Sequence, residues 1–181
     1  MEPRVLAEDV VLRQLDPADA AAVAEAYARN REHLAPWEPT REPSWATAEV
    51  QLREAATRLR AHARGDGIPL VLVRGEDVVG VLNVTGTIRG SFLSANLGYW
   101  LDAALAGRGL MSTAVRIACE VARDELALHR LQAGTLLHNA ASQHVLRACG
   151  FTPIGVAPRY LRIAGRWQDH LLFQRILTDE E

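Results

Sequence analysis

The stretch "IPLVLVRGEDVVGVLNVTG", residues 68–86, constrains the fold more than any other part of the chain. Two apolar runs flank Arg74-Gly75-Glu76-Asp77. A short polar connection containing glycine between two such runs signals a β-hairpin. The chain must therefore hold a sheet with antiparallel pairing, and "SFLSANLGYWL", residues 91–101, reads as a further strand.

The remaining segments alternate around that sheet. Val10 to Leu15 is a short β-type run, followed by Asp16 as N-cap and Pro17 at the first position of a helix. "HLAPWEPTREPSW", residues 33–45, carries three prolines and reads as an irregular loop. A helix is expected over 48–64, with Leu52, Ala55, Ala56, Leu59 and Ala63 on one face, ended by Gly65-Asp66-Gly67. After the loop "DAALAGRG", the stretch "MSTAVRIACEVARDELAL" predicts an amphipathic helix that buries Val115, Ala118, Ala122 and Leu126. "HRLQAGTLL" reads as a strand, with His129 and Arg130 in structural roles. "HNAASQHVLRACGF" reads as a short helix, capped by Asn139 and closed by Gly150. The tail from Thr152 forms two strands joined around Ala164-Gly165. The order is βααβββαβαββ, which predicts a single α/β (α+β) domain over residues 1–181.

Composition narrows the function. No apolar run approaches the ~18 residues of a membrane span, and the N-terminus lacks the pattern of a signal peptide. The cytosol is the expected compartment, with no membrane partner. Cys119 and Cys149 fall on apolar helical faces and read as small buried hydrophobes. No Cys/His grouping has metal-ligand spacing, so no metal is expected. A net charge of −2 speaks against direct nucleic-acid binding. Every basic side chain is arginine, which excludes a mechanism that needs a catalytic lysine.

The chemistry concentrates in "LAGRGLMSTAV", residues 105–115. The first N–H groups of a helix lack internal partners, and the helix dipole adds positive potential there. Gly107 and Gly109 let an anion approach the main chain, Arg108 adds charge, and Ser112 adds a hydroxyl. A loop that merely turns the chain accounts for the same residues equally well. One strand later Asn139 and Ser142 lie three apart at a helix start, where a plain N-cap and a solvated serine are the simpler accounts.

These segments together resemble the Gcn5-related N-acetyltransferase (GNAT) superfamily. Its phosphate loop, Q/R-x-x-G-x-G/A, corresponds here to Ala106, Gly107, Arg108, Gly109, Leu110 and Met111. The central glycine matches. Ala106 and Met111 depart from the pattern, which removes one side-chain contact and leaves the main-chain contacts. "IRGSFLSANLGYWL", "GRGLMSTAV", "LHRLQAGTLLHNAAS" and "LRACGFTPIGVAPRYLRIAGRWQDH" narrow the resemblance to RimJ/RimL-type protein N-terminal acetyltransferases. The resemblance implies a mixed, mostly antiparallel sheet of about seven strands with about four helices. It also implies acetyl-CoA as co-substrate and direct acetyl transfer to an amine, foremost the N-terminal alanine of a ribosomal protein. A small amine as acceptor, or a CoA-binding module without turnover, are the alternatives. Either a monomer or a homodimer is compatible with it.

On this reading main-chain groups from Gly107 to Ser112 hold the phosphates. Gly98, Tyr99, Trp100 and Leu101 line the pantetheine and acetyl group, in a gap between the "LGYWL" and "LQAGTLL" strands. Ser142 protonates the leaving thiolate and Asn139 orders the loop or the pantetheine. An α-amine titrates near ~8 and a lysine near ~10.4, so without a strong base an α-amine is the better acceptor. Tyr160, Asp169 and His170 are base candidates, each equally explained by packing or structural hydrogen bonds, and His138 lies near the thiolate site. Trp37, Trp45 and Arg89 suit an acceptor wall, with Glu38 and Glu42 available in the proline loop.

Overall fold

The protein, known here from a computed structural model, is described over residues 1–7 and 9–178. Strands β1 (Arg4–Ala7) and β2 (Val10–Gln14) lead through a capped 3-10 turn at Pro17–Asp19 into helix α1 (Ala20–Arg29). A single helical turn, α2 (Arg31–Leu34), opens the proline loop, which ends at helix α3 (Ala48–Ala63). The hairpin follows as β3 (Gly67–Arg74) and β4 (Asp77–Ile88), turning at Gly75 with φ +60°. Then come β5 (Ser94–Leu101), α4 (Leu110–Asp124), β6 (Arg130–Leu136), α5 (Ala140–Ala148), β7 (Thr152–Ile163) and β8 (Arg166–Ile176).

The eight strands form one sheet in the order β1-β2-β3-β4-β5-β6-β8-β7. Every neighbouring pair is antiparallel except β5 and β6. α4 and α5 cover one face, where Val115, Ala118, Ala122 and Leu146 pack on Leu97, Leu131 and Phe173. α1 and α3 cover part of the other, where Tyr27 and Ala55 pack on Val71 and Val81. Burial of these apolar side chains is the main force holding the layers together. Cys119 and Cys149 are buried thiols, and burial pushes both thiols above their ordinary range.

Two expectations need correction. Among the described residues the sheet has eight strands where about seven were expected, the additional one being β1, which is four residues long and mostly exposed, with Val5 71% exposed, so it carries no apolar alternation to betray it. The inner face of α3 runs through Gln51 and Ala55, while Leu52 is 48% exposed. Gln51 goes inside because its amide donates to the Trp45 carbonyl at 2.6 Å, satisfying a buried polar group.

Candidate active site

The parallel pair β5–β6 is bonded only at Ser94–Asn96 with Arg130–Gln132. Beyond that point β5 stays with β4, as far as Leu101 opposite Gly80, and β6 stays with β8, as far as Leu136 opposite His170. The sheet therefore parts between Leu97–Leu101 and Ala133–Leu136, leaving main-chain groups of both strands without a strand partner across the gap. Successive side chains on a strand point to opposite faces. Tyr99 and Leu101 thus pack toward α4 and α5, and Trp100 packs toward α1 and α3.

On the α4 face the chain leaves β5 at Asp102, which is buried. Its carboxylate accepts from Arg29 Nε at 2.8 Å, Asn30 Nδ2 at 3.1 Å and Ala104 N at 3.0 Å. Burial alone would raise this carboxyl, but the Arg29, Ala104 and Asn30 donors outweigh it and hold it below its ordinary range. The cluster anchors the loop that follows to the end of α1. Gly107 and Gly109 then adopt φ of +78° and +75°, and a Cβ on either would meet nothing within 4 Å. The first bond at the start of α4 runs from Thr113 N to Gly109 O at 3.1 Å. The N–H groups of Leu110, Met111 and Ser112 precede it and open onto this bare surface. The side chains of Leu110 and Met111 are buried in the core. The bulk of Met111, where a small residue was expected, therefore does not fill the cradle.

Further along the same face, Asn139 caps α5 by accepting from Ser142 N at 3.1 Å. Ser142 Oγ lies 3.0 Å from the Tyr99 hydroxyl, which is also 3.3 Å from the Ser142 carbonyl. Burial pushes the Tyr99 hydroxyl well above its ordinary range, and the Ser142 bond offsets this only in part. Tyr99 therefore keeps its proton at neutral pH. With Tyr99 donating to Ser142, the Ser142 hydroxyl proton is free to be given across the gap. Thr135 adds a buried hydroxyl with no partner among the described residues, on the unpaired end of β6.

The opposite face holds a cleft of about 370 Å³ between α1, the proline loop and the β7–β8 turn. Tyr27, Arg31, Glu38, Arg41 and Trp45 line it. Tyr27 accepts from Trp100 Nε1 at 3.1 Å, which ties the cleft wall to the gap strand. Ala164 N donates to the Glu38 carbonyl at 2.9 Å, closing the proline loop onto the hairpin. Burial raises the Glu38 carboxyl, with Arg41 and Arg58 pulling against it. The Trp45 indole N–H is buried without a partner among the described residues.

Residues 9–152 match the family described as Acetyltransferase (GNAT) domain. The chain belongs to the GNAT acetyltransferase family. It is 32% identical over 171 residues to the [ribosomal protein uS5]-alanine N-acetyltransferase of Escherichia coli (strain K12), covering 93% of this chain and 88% of that one. The crystal structure of ribosomal-protein-S5-alanine acetyltransferase from Vibrio fischeri superposes with a TM-score of 0.94 at 31% identity, with both chains fully covered. Mycobacterium smegmatis RimJ, solved in complex with CoA-disulfide, superposes with a TM-score of 0.88 at 29% identity, over 96% of this chain and 85% of that one.

The residues singled out in this GNAT acetyltransferase fall into three groups. Gly98, Tyr99, the Ala106–Ser112 loop, Asn139 and Ser142 converge on the gap and its α4 face, while Leu101 turns its side chain into the core and Trp100 turns to the opposite face. Trp37 and His138 stack with ring centroids 5.4 Å apart, and His138 shares a shallow hollow with Asp169, Arg166 and Trp167. Tyr160 stands 5.6 Å from His170, ring to ring. Arg89 stands apart, because its guanidinium donates to the carbonyls of Leu126 and Gly65 beyond the far end of β4. The Tyr99–Ser142 contact, Thr135, the Tyr27–Trp100 bond and the placement of Glu38 escaped sequence reasoning. The three contacts join segments distant in sequence, and Thr135 has no partner among the described residues, so none leaves a local pattern.

Proposed function

We propose that the chain moves an acetyl group from acetyl-CoA to the N-terminal α-amine of a protein, with a ribosomal-protein alanine as the favoured acceptor. The observation that carries this is the parted sheet, with an anion cradle on one face and a cleft on the other. A gap open to both faces lets two substrates meet without sharing an entrance. The relatives named for uS5-alanine acetylation cover nearly the whole chain, which supports the choice of acceptor. Such an acceptor implies a cytosolic enzyme.

The residues fit the coenzyme. Bare glycines and the N–H groups of Leu110, Met111 and Ser112 suit a diphosphate. The unpartnered Thr135 hydroxyl and the free strand edges suit the amides of a pantetheine arm. When bound, acetyl-CoA supplies an activated thioester. Main-chain N–H groups of β5 at the gap stabilise the oxyanion, and preorganised donors of this kind carry much of acyl-transfer catalysis. Ser142 gives its hydroxyl proton to the departing sulfur and takes one back by way of Tyr99, which recovers its own from solvent. Glu38 and the Trp45 N–H orient the acceptor from the cleft.

Thiol release from acetyl-CoA, followed over a panel of acceptors, tests the reading. Turnover is expected with alanine- and serine-starting peptides. Turnover with free amines alone moves the assignment to a small-molecule acetyltransferase, and coenzyme binding without turnover moves it to a binding module. Ser142→Ala should lower kcat by about 10²-fold while leaving acetyl-CoA affinity nearly unchanged. An unchanged kcat removes Ser142 from the mechanism.

A further inference from the structure

We propose that His170 is the base that deprotonates the acceptor amine, and that Gly134 is bare so that the amine can reach it. The proposal rests on the acetyl-transfer reading above. An α-amine titrates near ~8, so at neutral pH most of it is ammonium and lacks the lone pair that attacks. The site must therefore remove a proton.

His170 lies on β8 opposite Leu136, the last residue of β6 beside the gap. It is 3% exposed. Its Nδ1 is 2.9 Å from the Gln168 carbonyl. A carbonyl only accepts, so Nδ1 carries the hydrogen and a neutral ring presents its lone pair on Nε2. The Cδ2 edge of that ring lies over Gly134. A Cβ added at Gly134 would lie 3.4 Å from Leu172 Cδ2, 3.6 Å from Tyr160 Cε1 and 3.7 Å from His170 Cδ2, the carbon bonded to Nε2, so the space there is the size of one methyl or amine group. The two rings thus flank the space above Gly134, on the unpaired part of β6. Ala133 packs toward α4 and α5, so strand alternation turns Gly134 to the acceptor face.

The titratable group facing His170 is Tyr160 of β7, while β6 contributes only Leu136 and Gly134. The adjacent Asp169 is on the opposite face of β8, where it accepts from Arg159 N at 2.9 Å.

The protons balance. His170 Nε2 takes one from the ammonium and passes it to solvent. The freed amine forms the C–N bond as the C–S bond breaks. Of the two hydrogens left on nitrogen, one stays in the amide and one is released, while Ser142 supplies the proton that ends on sulfur and recovers one in turn.

Asparagine is the informative replacement, since its amide nitrogen takes the place of Nδ1, can still donate to Gln168 and cannot accept a proton. For His170→Asn we expect kcat to fall about 10²- to 10⁴-fold, with acetyl-CoA affinity held within about twofold. The acid limb expected of the wild-type pH–kcat profile should move up toward the value of the acceptor α-amine, near ~8. Gly134→Ala tests the niche without a severe clash and should lower acceptor kcat/KM about tenfold with coenzyme affinity unchanged. A His170→Asn enzyme that keeps its kcat, or whose acid limb stays where it lies in wild type, overturns the proposal, as does parallel loss of coenzyme affinity. A wild-type enzyme that acetylates small amines and no peptide overturns the acceptor assignment, and His170→Asn is then judged on the amine. Should wild type acetylate neither, the ¹⁵N signals of His170 decide, and a ring without Nδ1–H at neutral pH overturns the proposal.

Discussion

On the α4 face of the gap, the atoms offered to a ligand are mostly main chain: glycine loop, helix N-terminus and the free edges of β5 and β6. On the α1 face they are mostly side chains, drawn from α1, the proline loop, β5, β7 and β8. The first kind of site is stiff and general, since backbone N–H groups recognise any phosphate. The second is specific, since changing one side chain reshapes the wall without moving the backbone.

Four substitutions probe that contrast, beginning with the largest effect. Gly109→Val puts a branched side chain at a φ of +75° and into the cradle. We expect acetyl-CoA affinity to fall at least about 100-fold, roughly 2.7 kcal/mol, by titration calorimetry. Unchanged affinity breaks the main-chain account of the α4 face. Asp102→Ala unties the loop from α1, leaving Arg29 and Asn30 without their carboxylate, and should cost about 2 kcal/mol of stability in urea melts at pH 7. The Asp102 carboxyl is held below its ordinary range by Arg29, Ala104 and Asn30 against burial, so its contribution is present above the unfolded value near ~3.9. It is lost as pH falls through the lower folded value, and the difference between Asp102→Ala and wild type should shrink there.

Tyr99→Phe removes the hydroxyl that backs Ser142 and should cost about 1 kcal/mol, with kcat reduced several-fold and the acceptor KM unmoved. A changed acceptor KM would mean that the two faces are not separable at Tyr99. Glu38→Gln has the smallest effect and the opposite sign. Burial raises the Glu38 carboxyl, so its folded value exceeds the unfolded one near ~4.3, and stability is lost as pH rises through that window. Replacement should therefore raise Tm slightly at pH 7, an advantage that vanishes in acid, while weakening acceptor binding. A lower Tm at pH 7 would place Glu38 among the structural residues of the cleft.

The same contrast explains what was legible. Gly107, Gly109 and the Asn139 cap act on the backbone within a few residues, so their types and spacing announced them. The hairpin at Gly75 and the buried line Val115, Ala118, Ala122 and Leu126 were legible for the same reason. The α1 face was not. Trp100 meets Tyr27 from 73 positions away, and Glu38 meets Ala164 through the main chain of a proline loop with no periodicity of its own. Arg89 has the chemistry of an acceptor wall and lies instead against Leu126 and Gly65. Helix periodicity failed at Leu52, because α3 turns Gln51 inward, with its amide donating to the Trp45 carbonyl, and leaves Leu52 exposed.

By itself the amino-acid sequence determined the antiparallel hairpin, the amphipathic α4 and the glycine positions, because periodicity, turn chemistry and φ preferences operate over a few residues. Only the tertiary structure decided where β5 and β6 part, which face each strand residue serves, and that His170, Tyr160 and Gly134 share one niche. Those outcomes depend on packing and pairing between segments far apart in the chain, whose register no single stretch of residues encodes.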